Sequence, residues 1–95
     1  MYFDLAEFGE RVHELRIKEK LTQEAMAAQI GISQTHYKHI EQGTKGCSID
    51  ILLLLAEEFH VSTDYLLTGI RTKRDEEKER LRRVVDELDQ VIRKM

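Results

Sequence analysis

The sequence predicts an all-α protein in which five short helices form one domain and a longer amphipathic helix follows. Two observations predict this class. The 95 residues include no Pro and only 5 Gly, and 35% of them are charged, with many of the strong helix formers Leu, Ala, Glu, Lys and Arg. Apolar residues also recur at three- and four-residue steps after a Ser, Thr or Asp that can cap a helix.

The first two helices are predicted from their ends. Asp4 is the N-cap of the first helix, which runs to about Lys20 and turns one apolar face inward: Leu5, Phe8, Val12 and Leu15. Thr22 caps the second helix, and Gly31 ends it because glycine readily adopts the left-handed backbone conformation of a helix C-terminus.

The third helix is predicted over Gln34–Gln42, capped by Ser33 and stopped by Gly43. Only about three residues therefore separate it from the second helix. Its apolar positions, Tyr37 and Ile40, lie three apart, so the rest of its surface is expected to be polar and exposed.

Two more helices complete the predicted domain. Ser48 caps a fourth helix that runs to about His60, and its apolar character on nearly all sides predicts a central position in the fold. Ser62 caps a short fifth helix that ends at Gly69. Its apolar side chains are expected to close the core: Tyr65, Leu66 and Leu67.

Beyond the domain predicted for residues 1–70, residues 71–95 are predicted to form one amphipathic helix. Its apolar residues repeat at seven-residue intervals and form one stripe: Leu81, Val84, Val85, Leu88, Val91, Ile92 and Met95. A helix of about 22 residues is marginal alone in water, so this stripe needs a partner surface. Self-association into a dimer and docking on the domain both satisfy that need.

Charge is divided unevenly along the chain, whose formal net charge is -3. Residues 1–70 contain eleven acidic and six basic residues, or -5, and residues 71–95 contain seven and nine, or +2. An acidic total is unusual for a nucleic-acid binder. DNA responds more to a local basic patch, which Lys38, Lys45, His36 and His39 would supply.

The composition excludes several other functions. The longest apolar stretch, residues 51–56, is too short to span a bilayer, so we expect a cytoplasmic protein without a membrane partner. The single cysteine, Cys47, cannot form an intramolecular disulfide, which fits a reducing compartment. No catalytic residues can be assembled, and no metal site or cofactor is expected.

Residues 22–43, TQEAMAAQIGISQTHYKHIEQG, carry a helix-turn-helix pattern. Ala27 is small where the two helices cross, and Gly31 lies at the turn. The other matching positions are Gln23, Ile32, Ile40, Glu41 and Gly43. The segment resembles the phage repressor and Cro-like family, also called the xenobiotic response element family, and the likeness covers residues 8–69. It implies a five-helix repressor-like helix-turn-helix domain, here followed by the amphipathic helix.

Two positions depart from the family pattern. Cys47 stands where a Pro is common before the cap of the fourth helix. Tyr37 occupies an inward site that Ile or Val fills more often, and it is expected either to tilt the third helix or to send its hydroxyl toward a phosphate.

The resemblance implies a DNA-binding surface in which the start of the third helix enters the major groove. It is made of Gln23, Ser33, Gln34, Thr35, His36, Lys38, His39, Thr44 and Lys45. Gln34 suits adenine because its amide offers one donor and one acceptor. Gln23 is expected to brace Gln34 and bind phosphate, and the loop N–H groups and ammonium at Thr44 and Lys45 are expected to contact the DNA backbone.

The resemblance also implies a structural salt bridge between Arg16 and Glu41. The predicted function is therefore a transcriptional regulator, a repressor, that binds a palindromic operator in double-stranded DNA as a homodimer. The alternative is a protein-interaction module or an antitoxin-type partner, which would use the same fold with weak or no DNA binding.

Overall fold

The computed structural model describes residues 3–95 and is built of α-helices. In chain order they are α1 (Leu5–Lys18), α2 (Gln23–Ile30), α3 (Gln34–Gln42), α4 (Ile49–Phe59), α5 (Thr63–Thr68) and α6 (Lys73–Lys94). No strand occurs within residues 3–95. The all-α class is therefore confirmed, and so is the order of five short helices and one long one. The first two residues of the domain predicted over residues 1–70 lie outside the described part.

Each helix begins at a side-chain cap. The cap oxygen accepts a hydrogen bond of 3.0–3.2 Å from the backbone N–H three residues later, which satisfies a donor that the helix itself leaves free. The caps are Asp4, Thr22, Ser33, Ser48, Ser62 and Thr72. The first five were predicted, and each contributes about 0.5–2 kcal/mol to stability.

Left-handed residues end most of the helices. Gly31 and Gly43 have φ of +76° and +72°, as predicted from their places in the sequence. Lys20 and His60 take the same conformation without being glycine, at φ of 59° and 56°. Lys20 explains why α1 stops at Lys18, slightly before the predicted end.

The hydrophobic core lies between the first five helices. Its buried side chains are Phe8, Val12, Leu15, Met26, Ala27, Ile30, Tyr37, Ile40, Leu55, Ala56, Phe59, Val61 and Leu66. Each large side chain buried in this way contributes about 1.5–3 kcal/mol through the removal of apolar surface from water. Tyr65 and Leu67 pack partly buried against this cluster, so Leu66 is the residue of α5 that enters it fully.

α1 and α3 pack at backbone contact distance where Gly9 faces the end of α3. A Cβ atom at Gly9 would collide with the carbonyl oxygen of Ile40 and would lie 2.6 Å from that of Glu41. Backbone atoms cannot yield in the way a flexible side chain can, so any larger residue would displace α3. Gly9 therefore sets the position of α3 against the core.

The prediction that α4 is central is wrong. Leu55, Ala56 and Phe59 of this helix are buried, but Ile49 and Leu53 are 76% and 54% exposed. α4 packs on α1, α2 and α5 through one face only, so its opposite face is open to solvent. An apolar helix can lie at the edge of a small domain when the other elements cover one side of it.

The apolar stripe of α6 is exposed along its whole length. The side chains concerned are 49–67% accessible: Leu81, Val84, Val85, Leu88, Val91 and Ile92. Docking of this stripe on the first five helices, one of the two possibilities raised by the sequence, does not occur. The contacts of α6 with α1 and α5 are polar instead. Within residues 3–95, no helix combines the length and apolar character that a membrane span requires.

Candidate nucleic-acid interface

α2 and α3 form a helix-turn-helix unit. Their turn consists of three residues, Gly31 to Ser33, and the backbone N–H of Ile32 donates to the carbonyl oxygen of Ala27 at 3.0 Å. Ala27 is buried where the helices approach, and Ile32 packs partly buried on the core. Because the turn is short and its middle residue is anchored, α3 is held at a fixed angle to α2.

The two faces of α3 differ in burial. Tyr37 and Ile40 are fully buried and attach the helix to the core. Gln34, Thr35 and Lys38 are exposed, and His36 and His39 are half-buried beside them. The structure thus brings these five predicted DNA-contacting residues onto one helix, with the three most accessible ones in its first turn and a half.

Ser33 and Gln23 both make contacts within the protein. The Ser33 hydroxyl accepts from the backbone N–H of His36 at 3.0 Å, so it serves as the cap of α3. The Gln23 amide donates to Glu41 Oε1 at 3.1 Å. The expectation that Gln23 braces Gln34 is therefore wrong for this structure, because the buried carboxylate of Glu41 is the stronger acceptor.

The loop after α3 is closed by hydrogen bonds to His39. The backbone N–H groups of Thr44 and Lys45 both donate to the carbonyl oxygen of His39, at 3.1 and 3.4 Å. The Thr44 hydroxyl lies 3.2 Å from the same oxygen and 3.0 Å from His39 Nδ1. The expectation that these loop N–H groups are available for phosphate is wrong, since they satisfy the end of α3. The exposed ammonium of Lys45 remains available.

Glu41 is the centre of a buried polar cluster behind the outer face of α3. Its side chain is 3% exposed and that of Arg16 is 9% exposed. The carboxylate lies 2.7 Å from Arg16 Nε and 3.0 Å from Arg16 Nη2, a bidentate pairing, and 2.9 Å from His13 Nδ1. With the contact from Gln23, this cluster ties α1 and α2 to the last turn of α3.

The pKa of Glu41 is held at about 2 in the folded chain. Burial alone would raise it, but the hydrogen bonds from Arg16, His13 and Gln23 favour the ionised carboxylate and outweigh burial. Glu41 is therefore charged at neutral pH, and Arg16 neutralises it locally.

Acid should destabilise the protein through Glu41. Its folded pKa lies below its ordinary value of 4.5, so the stability it contributes is fully present above about pH 5 and is lost as the pH falls toward 2. Urea unfolding followed by circular dichroism at pH 7, 4 and 3 measures this loss. The Glu41→Gln variant should lose less stability over that interval than the parent. An equal pH dependence in both proteins would remove Glu41 as its source.

The Tyr37 hydroxyl does not reach the protein surface. It is buried and makes no hydrogen bond to any group within residues 3–95. Burial, together with the nearby Glu41 carboxylate, raises the pKa of this hydroxyl. The expectation that it points toward a phosphate is therefore wrong. The ring lies beneath α3 because Tyr37 is on its inward face, beside Ile40.

The electrostatics of α3 favour an anion more than the total charge suggests. Over residues 22–48 the charged side chains are Glu24, Lys38, Glu41 and Lys45. Since Arg16 neutralises Glu41, Glu24 is the one remaining acidic side chain in this segment to set against the two exposed lysines. The net charge of -3 is carried elsewhere on the molecule.

Three residues with clear structural roles are not among the predicted site residues. His13 is part of the Glu41 cluster, yet a lone exposed histidine carries no sequence signal. Gly9 packs against α3 from a helix interior, where an isolated glycine is itself a signal of close packing. Asp75 completes a capping box with Thr72, which the pattern Thr-x-x-Asp indicates. No cluster of His, Cys, Asp and Glu within residues 3–95 is arranged to hold a metal ion.

A three-residue turn between two helices and a polar outer face on the second helix define a helix-turn-helix unit. The chain belongs to the helix-turn-helix family, whose pattern matches residues 9–71. The resemblance to the phage repressor and Cro-like proteins is thereby confirmed.

Known relatives are regulators of transcription. The chain is 38% identical over 60 residues to the uncharacterized HTH-type transcriptional regulator YobD of Bacillus subtilis, covering 63% of this chain and 54% of that protein. It is 28% identical over 83 residues to the cryptic phage CTXphi transcriptional repressor RstR of Vibrio cholerae, covering 87% and 75%. The match thus spans about half the length of YobD.

A solved structure has the same architecture. The P22 c2 repressor protein, crystallised in complex with synthetic operator 9T, superposes on this chain with a TM-score of 0.64. The two are 32% identical, and the match covers 66% of this chain and 96% of that one.

Proposed function

We propose that this chain is a sequence-specific DNA-binding regulator of transcription, a repressor, that acts as a homodimer on a palindromic operator. The observation that carries the proposal is the division of α3 into two faces. Its inner face is fixed to the core by Tyr37, Ile40 and the Glu41 cluster, while its outer face presents accessible hydrogen-bonding side chains. A rigid helix with a polar outer face fits the major groove of B-DNA.

The proposed DNA-contacting residues would have different roles. Gln34 and Thr35, in the first turn of α3, would meet base edges, and His36, Lys38 and His39 would contact the flanks of the groove. Lys45 would hold the DNA backbone through its exposed ammonium, and Gln23, Ser33 and Thr44, whose polar groups bond within the protein, would line the surface beside the backbone. The likeness to a repressor solved on its operator supports this arrangement.

The homodimer would form through α6, whose exposed stripe needs an apolar partner. A second copy is a fitting partner, because the stripe repeats every seven residues as it does in paired helices. Two half-sites about 34–36 Å apart, or a multiple of that distance, would then be read together. One domain alone contacts too few bases to locate a site in a genome.

Two substitutions test the proposed interface. Gln34→Ala should cost about 1–3 kcal/mol on the preferred operator and flatten discrimination at one base pair. Lys45→Ala should weaken binding to all sequences alike and reduce the salt slope of the binding constant by about one unit for each phosphate that the lysine neutralises. Fluorescence anisotropy against duplexes selected from a random-sequence pool, at several salt concentrations, measures both effects.

Matched controls separate these effects from general ones. Gln29→Ala removes another exposed glutamine, and Lys18→Ala removes a lysine on the side of α1 that lies near α6. Both variants should bind as the parent does. If Gln34→Ala binds every operator variant as tightly as the parent, with its fold intact, Gln34 does not read a base.

The second candidate function is a protein-interaction module or the antitoxin half of a pair. The exposed apolar face of α4, formed by Ile49, Leu53 and Leu54, favours it, because such a face on a domain of charge -5 suits a protein partner. A mobility-shift titration at several salt concentrations separates the two candidates. Absence of sequence preference at every salt concentration would favour the second.

A further inference from the structure

A single carboxylate, that of Asp75, connects the N-terminal end of α6 to the N-terminal end of α5. Asp75 is 3% exposed, although it lies on a helix whose other residues are mostly accessible. Its Oδ1 accepts from the backbone N–H of Ser62 at 2.7 Å. Its Oδ2 accepts from the Ser62 hydroxyl at 2.7 Å and from the backbone N–H and hydroxyl of Thr72 at 3.0 and 2.9 Å.

A capping box accounts for only half of these contacts. The box requires Asp75 to bond Thr72, the cap of its own helix. Ser62 lies 13 residues away and caps α5. The carboxylate thus joins the N-terminal ends of two helices, where both helix dipoles favour a negative charge. Burial alone would raise the pKa of Asp75, but the hydrogen bonds from Thr72 and Ser62 lower it to about 2.

Charged pairs hold the next turns of α6. Arg82 Nη1 lies 2.9 Å from Glu19 Oε1 on the residue that ends α1. Arg71 Nη1 lies 2.8 Å from Glu79 Oε2, and the Arg71 guanidinium stacks 4.7 Å from the centre of the Tyr65 ring in α5. After Arg82, every residue of α6 is exposed. The helix is therefore anchored at its base and free along the part that carries most of the apolar stripe.

We propose that Asp75 is a positioning residue that sets the direction in which α6 leaves the helix-turn-helix domain and thereby sets the spacing of half-sites that the dimer accepts. This inference rests on the proposed function. Its consequence for DNA follows from length: Leu88 lies about 22 Å along the helix from Lys73, so a tilt of about 10° at the base moves it by about 4 Å. That displacement is close to the rise of one base pair, about 3.4 Å.

Dimerisation and spacing should therefore respond to different residues. Most of the apolar stripe lies beyond the anchored turns, so removal of the Asp75 carboxylate should leave the dimer intact while letting the two domains move relative to each other. A dimer whose two domains can move would bind half-sites spaced closer together or farther apart than the parent prefers, without deforming the DNA. A rigid one would have to bend or twist it.

The test compares Asp75→Asn with Glu76→Gln in the full chain. Both substitutions remove one acidic charge, but Glu76 is exposed and forms no ion pair within residues 3–95. The probes are duplexes selected by the parent from a random-sequence pool, resynthesised with the half-site spacing changed by one and two base pairs. The parent and Glu76→Gln should lose about tenfold or more in affinity at each change, whereas Asp75→Asn should lose clearly less. The dimer dissociation constant, measured by sedimentation equilibrium, should be the same in all three proteins.

A second measurement needs no DNA and so separates this inference from the proposed function. Cys47→Ser removes the native thiol, and Glu14→Cys with Gln90→Cys places spin labels on exposed positions of α1 and α6. Labelled chains diluted with unlabelled protein should give a narrow distance distribution in the parent and a broad one with Asp75→Asn. If Asp75→Asn fails to fold, Thr72→Ala takes its place in both experiments, because it removes one of the four hydrogen-bond donors to the Asp75 carboxylate. A distribution as narrow as that of the parent, or an unchanged spacing profile in a folded variant, overturns the inference.

Discussion

Replacing Glu41 by alanine should lower the free energy of unfolding by about 3–5 kcal/mol, which is a large part of the stability of a domain of this size. The substitution removes the partner of Arg16, whose side chain is only 9% exposed. The guanidinium would keep its contacts to the carbonyl oxygen of Leu21 at 2.9 Å and to His13 Nδ1 at 3.1 Å, but it would be a buried charge without a counter-ion. Urea unfolding at pH 7 measures the loss.

A double-mutant cycle separates the interaction energy of the ion pair from the effect of removing each side chain by itself. Arg16→Ala should also be destabilising, though it leaves Glu41 with His13 and Gln23 as donors. The double variant should be no less stable than the worse single one, because it removes both charges. Glu41→Gln keeps the shape of the side chain and some of its hydrogen bonds, so its free energy of unfolding should lie between those of the parent and Glu41→Ala. Strictly additive losses would show that the two residues do not act as a pair.

In the proposed homodimer, replacing Leu88 by aspartate should raise the dissociation constant by about two to four orders of magnitude. Burial of one Leu contributes about 1.5–3 kcal/mol, and a symmetric pair loses it twice. Leu88 is the central residue of the exposed stripe and is 57% exposed in the single chain, so the folded monomer should tolerate the change. Sedimentation equilibrium measures dimerisation, and the affinity for a two-half-site duplex should fall with it.

Gln90→Asp is the matched control for this experiment. It introduces the same charge two residues away, at an exposed position outside the apolar stripe, and should leave dimerisation unchanged. If Leu88→Asp dimerises like the parent, the interface lies elsewhere, for example on α5. Weaker dimerisation in both variants would indicate a general charge effect and not the removal of apolar packing.

The helices could be predicted from sequence because local residues determine their ends. Ser33 and Ser48 cap helices through hydrogen bonds to backbone three residues away, and Gly31 and Gly43 end them through their own φ angles. None of these effects depends on a distant part of the chain. The exception is the end of α1, where Lys20 takes a left-handed conformation that its residue type does not signal.

The extent to which α4 is buried could not be predicted, because the spacing of its apolar residues shows which of its faces are apolar and not how many other helices pack against it. A helix with apolar residues on nearly all sides is expected to be surrounded, and α4 is covered on one side only. In the candidate site, the polar outer face of α3 was predictable from Tyr37 and Ile40. The role of Asp75 was not, because its second partner, Ser62, belongs to another helix.

Under the proposed function, the two-faced construction of α3 makes this helix suitable for retargeting to new DNA sequences. Gln34, Thr35 and Lys38 can be randomised in a library without disturbing the core, since none of them is buried or ion-paired within residues 3–95. Changes at Tyr37, Ile40 or Glu41 would instead unfold members of the library before their binding could be screened. A selection confined to the outer three positions would therefore sample altered specificity on a scaffold of nearly constant stability.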